Sequence, residues 1–326
     1  MYKRILLPID GSPPSERAAD MGLALARRLA ASAVFVHVVE PHRYRDLRDY
    51  QEALERARTV GKALLAQWER KASRARVSCE THLTCTEPES RPGVAEALAD
   101  AGVAHGCDLV VMGTHGRTGL PRLLLGSVAE RMARLSQTPL LLVRGGDAET
   151  TLFKRILAAV DGSAFSELAL QHADALAGAL KARLAVVHVV PDLTQLYLSA
   201  GRAWVFADQT QLQAQLAQEQ ARLREQGEYV LKEALRGCKQ APQVHTVLRE
   251  GGRHLIGERI CQAAEEEKAD LIVMGTHGHT GLRKFLLGSV AQDVVQHARQ
   301  PVLLVRNPAA RTPPDEPHLP PPGEPN

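Results

Sequence analysis

Asp108-Leu109-Val110-Val111-Met112-Gly113-Thr114-His115-Gly116, followed at Leu125-Gly126-Ser127-Val128-Ala129, is the stretch that decides how this chain folds. The apolar run closed by Gly113 reads as a short buried strand and then a turn. Nine residues separate Gly116 from Gly126, and Gly-Ser ahead of an apolar pattern reads as a helix start. The same text returns, spacing unchanged, as Asp270-Leu271-Ile272-Val273-Met274-Gly275-Thr276-His277-Gly278 and Leu287-Gly288-Ser289-Val290-Ala291.

Further repeats extend outward from it. Lys3-Arg4-Ile5-Leu6-Leu7-Pro8-Ile9-Asp10-Gly11-Ser12 matches Lys154-Arg155-Ile156-Leu157-Ala158-Ala159-Val160-Asp161-Gly162-Ser163, and His37-Val38-Val39 matches His188-Val189-Val190. The period is far too long for a solenoid, so the chain is a domain duplication. Its 326 residues suit two domains of about 150 residues. The expected domains are 1–146 and 151–307, joined near Gly145-Gly146-Asp147. Residues 308–326 are Pro-rich and acidic, and are expected to be a disordered tail.

Each copy alternates strands and helices. In copy one the pattern predicts strands over Arg4–Ile9, Ala33–Val39, Val77–Leu83, Leu109–Met112 and Leu140–Val143. It predicts helices carrying Ala18, Gly22, Leu25 and Leu29 on one face, then Tyr50–Trp68, Val94–Ala104 and Ser127–Leu135. Leu54, Ala57, Leu64 and Trp68 are spaced to share a face. Copy two follows the same order, with an added stretch around Tyr197, Trp204 and Phe206. This alternation predicts an α/β fold: two tandem domains, each a mostly parallel sheet with helices on both faces.

Composition narrows the function classes. Hydrophobic residues make up 44% and aromatics only 4%, so Leu, Val, Ile and Ala must build the cores. A net charge of +3 without a basic, aromatic-laced stripe argues against nucleic acid. No run approaches the roughly 18 apolar residues of a membrane span. The five cysteines are scattered, with no C-x-x-C pair, which predicts free thiols in a reducing cytoplasm rather than zinc or disulfides.

Sheets of this kind bind ligands at the carboxyl ends of their strands, where the order switches. That rim carries Pro8, Ile9, Asp10, Val38 and Met112–Gly116, and in copy two Ala159, Val160, Asp161, Val189 and Met274–Gly278. A strand ending in Met-Gly admits a ligand close to the backbone, because glycine has no Cβ. A tight turn at Gly116 or Gly278 exposes successive N–H groups to an anion. Helix starts at Gly126-Ser127-Val128 and Gly288-Ser289-Val290 add orphan N–H groups and the positive end of a helix dipole, so phosphate is the natural guest. The Ser127 and Ser289 hydroxyls can cap the helix or bond a phosphate oxygen. Asp10 and Asp161 can meet ribose hydroxyls or a magnesium ion on the phosphates, or can close an Asx-turn onto Gly-Ser. His115 and His277 offer phosphate contact or loop packing, and a general acid–base role is disfavoured because the sequence shows no carboxylate placed to orient them. Arg117 in copy one stands where copy two has His279, and arginine is the better phosphate clamp at neutral pH.

These motifs resemble the universal stress protein family, in its tandem two-domain form, over about nine-tenths of the chain. The resemblance implies, in each copy, a five-stranded parallel sheet of the Rossmann-like, adenine nucleotide alpha hydrolase kind, with bound ATP. By that resemblance the backbones of Ile9 and Val38 meet adenine. Asp10 and Gly113 take the ribose. Gly116, Gly126, Ser127 and Val128 hold phosphates, with His115 and Arg117 nearby. The matching set is Val160, Val189, Asp161, Gly275, Gly278, Gly288, Ser289 and Val290, with His277 and His279 nearby. Such proteins often dimerise through the last strand, so Leu140–Val143 and Leu303–Val305 are expected to pair as an intrachain pseudo-dimer. A homodimer and a downstream protein partner, which the sequence leaves unnamed, stay open. Copy one departs from a common family pattern at Thr86–Pro92, and copy two at Glu250–Arg253.

The expected role is a nucleotide-binding stress-response or regulatory protein. An ATP-hydrolysing enzyme of the same fold needs a way to stabilise developing charge on phosphorus. The chain has no G-x-x-x-x-G-K-[ST] loop, so fast turnover is disfavoured and slow hydrolysis stays open. A scaffold with vestigial sites is the third reading, and the duplicated glycine spacing argues against it.

Overall fold

A computed structural model describes residues 1–45, 47–86, 93–114, 125–144, 152–193, 209–252, 255–277 and 287–306. His115, Gly116, Arg117, Gly278, His279, the added stretch at 197–206 and the tail at 308–326 lie outside them.

Copy one runs β1 (Arg4–Pro8), α1 (Pro13–Leu29), β2 (Ser32–Val39), a 3-10 turn (Pro41–Tyr44), α2 (Tyr50–Ala75), β3 (Cys79–Cys85), α3 (Val94–Ala104), β4 (Leu109–Gly113), α4 (Ser127–Leu135) and β5 (Leu140–Val143). Copy two runs β6 (Arg155–Ala159), α5 (Ala164–Leu180), β7 (Arg183–Pro191), α6 (Gln209–Gly237), β8 (Gln243–Gly251), α7 (Ile256–Glu266), β9 (Leu271–Gly275), α8 (Ser289–His297) and β10 (Val302–Val305).

Each copy is a parallel sheet, ordered β3-β2-β1-β4-β5 and β8-β7-β6-β9-β10. The order reverses between β1 and β4, and again between β6 and β9, so each copy has one switch point. The last strands pair antiparallel, Leu140 with Leu304 and Leu142 with Val302, as the tandem arrangement predicts. One sheet of ten strands results, and its two inner edges are covered.

Strand alternation sorts the core into two layers. Ile5, Leu7, Phe35, Val111, Ile156 and Leu303 face α1, α2, α5 and α6. Leu6, Val34, Val110, Met112, Leu157 and Leu304 face α3, α4, α7 and α8. Both layers cross the joint between copies, so the two halves share their cores. Helix starts are fixed locally: Ser12 and Ser163 cap α1 and α5 by accepting from the N–H groups of Ser15 and Ser166.

The structure corrects two details of the sequence reading. The buried face of α2 is Leu54, Gly61, Leu65, Trp68 and Ala72, and Leu64 is only partly buried. Gly61 sets that face, because a Cβ there would lie 2.6 Å from the His37 ring and 2.7 Å from Leu83, so the helix sits close on the sheet. Strand β3 begins at Cys79 rather than Val77, because α2 runs to Ala75 and ends on a left-handed Arg76.

Candidate functional site

Two cavities open at the switch points, one per copy. The first, of about 220 Å³, is bounded by Pro8–Asp10, by Val38 at the end of β2, by Met112–Thr114 and by the start of α4 at Gly126–Ala129. The second, of about 250 Å³, is bounded by Ala159–Asp161, Val189, Met274–His277 and the start of α8 at Gly288–Ala291. Every sequence-predicted site residue within the described residues lines one cavity or the other. Elements far apart in sequence meet there because parallel strands end at the same rim.

At the first rim, Asp10 leads the left-handed Gly11, whose φ of 79° is open to glycine at little cost. The Asp10 carboxylate accepts from the Ser12 N–H at 2.9 Å and the Ser12 hydroxyl at 2.6 Å, forming an Asx-turn. Asp161 does the same with Ser163, at 3.0 and 2.5 Å, beside Gly162 at φ 84°. The turn is therefore built in both copies, and each aspartate also borders its cavity.

Ile9 is less available than expected. Its N–H donates to the Val36 carbonyl at 2.8 Å, and its carbonyl accepts from His37 Nδ1 at 2.6 Å. Val160 repeats both contacts with Val187 and His188. The peptide groups of Val38 point the same way as those of Val36, because strand orientation repeats every second residue. Strand β1 ends at Pro8, opposite Val36, so those of Val38 face the cavity beyond it. His37 and His188 hold the ends of two strands in register, a role the repeated His-Val signalled but did not define.

Gly113 lines the first cavity, and its missing side chain also serves packing. A Cβ there would lie 2.8 Å from the Pro14 carbonyl oxygen, so the missing side chain admits the start of α1. Gly275 stands likewise against Phe165, at 3.1 Å. Gly126 and Gly288 need correction as phosphate donors. Their N–H groups donate at 2.8 Å to the carbonyls of Thr114 and Thr276. The first intrahelical bond runs from Glu130 to Gly126, so the N–H groups of Ser127, Val128 and Ala129 precede the ladder and point outward. Gly126 is the N-cap and has no side chain to offer, and Ser127 is the first helical residue, so its hydroxyl does not cap the helix. Ser127 and Ser289 are both exposed.

His277 borders the second cavity, with its ring 5.6 Å from Phe165 and its Nδ1 3.0 Å from the Thr276 hydroxyl. Sequence reasoning missed Ser15 and the 3-10 turn that adds Glu40, Arg43 and Tyr44 to the first cavity. Arg43 is held by Glu40 at 2.6 Å. The Glu-Pro that opens the turn was the available signal.

The fold and its paired rim cavities define a tandem, doubly wound α/β protein with one ligand-sized site per copy. The sequence model of the universal stress protein family matches residues 1–144 and again 152–306, and the chain belongs to that family as a tandem pair. A universal stress protein of Mycobacterium tuberculosis is 27% identical over 314 residues, covering 93% of this chain and 96% of the relative. One from Methanocaldococcus jannaschii is 35% identical over 168 residues, covering 51% of this chain and 88% of the relative. The crystal structure of a universal stress protein from Archaeoglobus fulgidus matches with a TM-score of 0.64 at 21% identity, covering 93% and 96% of the two chains, a likeness of fold. Among the described residues no helix is long and apolar enough to cross a membrane.

Proposed function

We propose that the chain binds an adenine nucleotide, ATP with an accompanying Mg2+, in one or both cavities, and acts through it in stress response or regulation rather than as an enzyme. The observation that carries this reading is the shared architecture of the cavities. Each joins the apolar ends of two strands to a helix start whose first N–H groups point outward, as a flat apolar base linked to phosphates requires. Asp10 and Asp161 stand between those ends, where ribose hydroxyls or a metal on the phosphates would lie.

The side chains of the first cavity favour binding over turnover. Asp10 is engaged by Ser12, His37 by the Ile9 carbonyl and Glu40 by Arg43. These groups hold the rim in shape, and a general base needs a geometry aimed at a nucleophile.

The test is to denature the purified protein, identify released nucleotide by chromatography and mass spectrometry, and titrate the stripped protein with ATP and magnesium by calorimetry. Binding at two sites per chain is the expected result, and binding at one would mean unequal copies. No nucleotide and no heat of binding at millimolar ATP would overturn the reading.

A further inference from the structure

At the opposite rim of the sheet, edge strand β3 and the turn between α3 and β4 bring Glu80, His82 and His105 together. One ligating atom from each lies within 4.8 Å of the other two. Glu80 and His82 are two apart on one strand, so their side chains share a face. The rings of His82 and His105 stack with centroids 3.8 Å apart, and His82 Nε2 is 3.3 Å from the Glu80 carboxylate. We propose that Glu80, His82 and His105 bind a divalent transition-metal ion of the zinc class.

Two imidazoles and a carboxylate are the donor set that borderline ions such as zinc take, and a fourth position is left for water. Tetrahedral zinc with bonds of about 2.0–2.1 Å needs donor atoms about 3.3 Å apart. The three side chains are part-exposed or exposed, so side-chain rotation alone can close the remaining gap. Arg4 holds the Glu80 carboxylate at 2.6 Å, as an outer partner of a ligating carboxylate does. Both histidines must be neutral to ligate. Burial, and then the neighbouring His82, hold His105 below the ordinary imidazole value.

Copy two supplies an internal control. Strand register places His245 where copy one has Glu80, and Val247 where it has His82. The turn that carries His105 carries Glu267 in copy two, and His245 meets it at 2.8 Å. That pair has only one imidazole, so zinc binding should be confined to copy one. The proposed metal would tie an edge strand to the body of its sheet, far from the nucleotide rim.

The test is calorimetric titration of the nucleotide-free full chain with zinc chloride, for wild type, His82→Gln, His105→Gln and His245→Gln. Circular dichroism confirms that each variant is folded. The expected result is one zinc site per chain, weakened at least about tenfold in the first two variants and unchanged in the third. No zinc uptake by the wild type, or equal affinity in all four proteins, would overturn the proposal. A loss in His245→Gln as large as in the other two would also overturn it.

Discussion

Arg144, just past the end of β5, donates from Nη2 to the carbonyl of Val295, 2.5 Å away and 151 residues along the chain. It also donates to Gln296, and Val295 and Gln296 lie in the last turn of α8, where carbonyls lack helical partners. Arg306, just past β10, answers by donating to Ala133 in α4 at 3.4 Å. Each copy thus places a cation at the negative end of the helix whose other end borders the partner copy's cavity.

Arg144→Ala should therefore destabilise the whole chain by about 1–2 kcal/mol, since it removes charge-assisted bonds to part-buried carbonyls. Arg306→Ala should cost less, because its bond is longer. Urea unfolding measures both. Equal, negligible effects would mean that the strand pairing and the shared cores hold the copies together without these bonds.

Gly113→Ala tests the packing role of the strand-end glycine. Its Cβ would sit 2.8 Å from backbone at Pro14, which cannot rotate away, so α1 must shift. A loss of about 1–3 kcal/mol is expected. Gly275→Ala, at 3.1 Å, should cost less. If Gly113→Ala leaves stability intact and weakens only nucleotide binding, the glycine serves the ligand instead.

What the sequence disclosed and what it withheld differ for a physical reason. Period and duplication are local signals, so the alternation of elements, the ends of α3, α4 and β5, and the cavity rim around Asp10 and Ser127 were legible. Gly113 against Pro14 and Arg144 against Val295 are contacts between elements. No local period encodes them, and a glycine that admits a ligand looks the same in sequence as one that admits a helix. The buried face of α2 was misread for the same reason: Gly61, which sets it, carries no hydrophobic signal. His37 was visible as a repeated residue, but its carbonyl partner at Ile9 was not.

Acid should loosen the joint between copies. The Tyr2 hydroxyl, ahead of β1, meets His172 Nδ1 on α5 at 2.8 Å. Burial, and then Asp108, push the Tyr2 phenol upward, so it stays the proton donor and His172 accepts. Burial first, and then the N-terminal amine, hold His172 below its ordinary value, with Asp108 opposing. A lowered folded value means the unfolded chain binds the proton first. The contribution is thus full above about pH 6.5 and declines as pH falls towards the folded value. His172→Asn keeps an acceptor near Nδ1 and does not titrate. Its stability should fall less than that of wild type between neutral pH and the acid side of that window, measured by urea unfolding across the range. Parallel curves would place the acid sensitivity elsewhere.

Asp10→Asn separates turn from ligand. Asparagine keeps an Oδ1 to accept from Ser12, so the Asx-turn survives and stability should change by less than about 0.5 kcal/mol. If the carboxylate charge meets a magnesium ion or ribose hydroxyls, affinity for Mg-ATP should fall about tenfold, which calorimetry reads. Unchanged affinity would assign Asp10 to the turn alone.

Ser127→Pro is the cleanest test of the phosphate end. Ser127 is the first helical residue of α4, a position that favours proline because its N–H has no helical acceptor. Gly126 already has φ −63° and ψ 146°, the extended conformation that a following proline requires. The fold should therefore tolerate the change, while one outward N–H and one hydroxyl disappear from the first cavity. A hydrogen bond to a charged phosphate contributes about 1.5–3 kcal/mol, so ATP affinity at that site should fall roughly 10–100-fold with little change in unfolding midpoint. Ser289→Pro does the same in copy two, where Gly288 has φ −60° and ψ 147°. Calorimetry on the two single variants then assigns each binding event to its own copy. If neither variant weakens ATP, the helix starts do not hold the phosphates, and the anion end of the ligand must lie elsewhere on the rim.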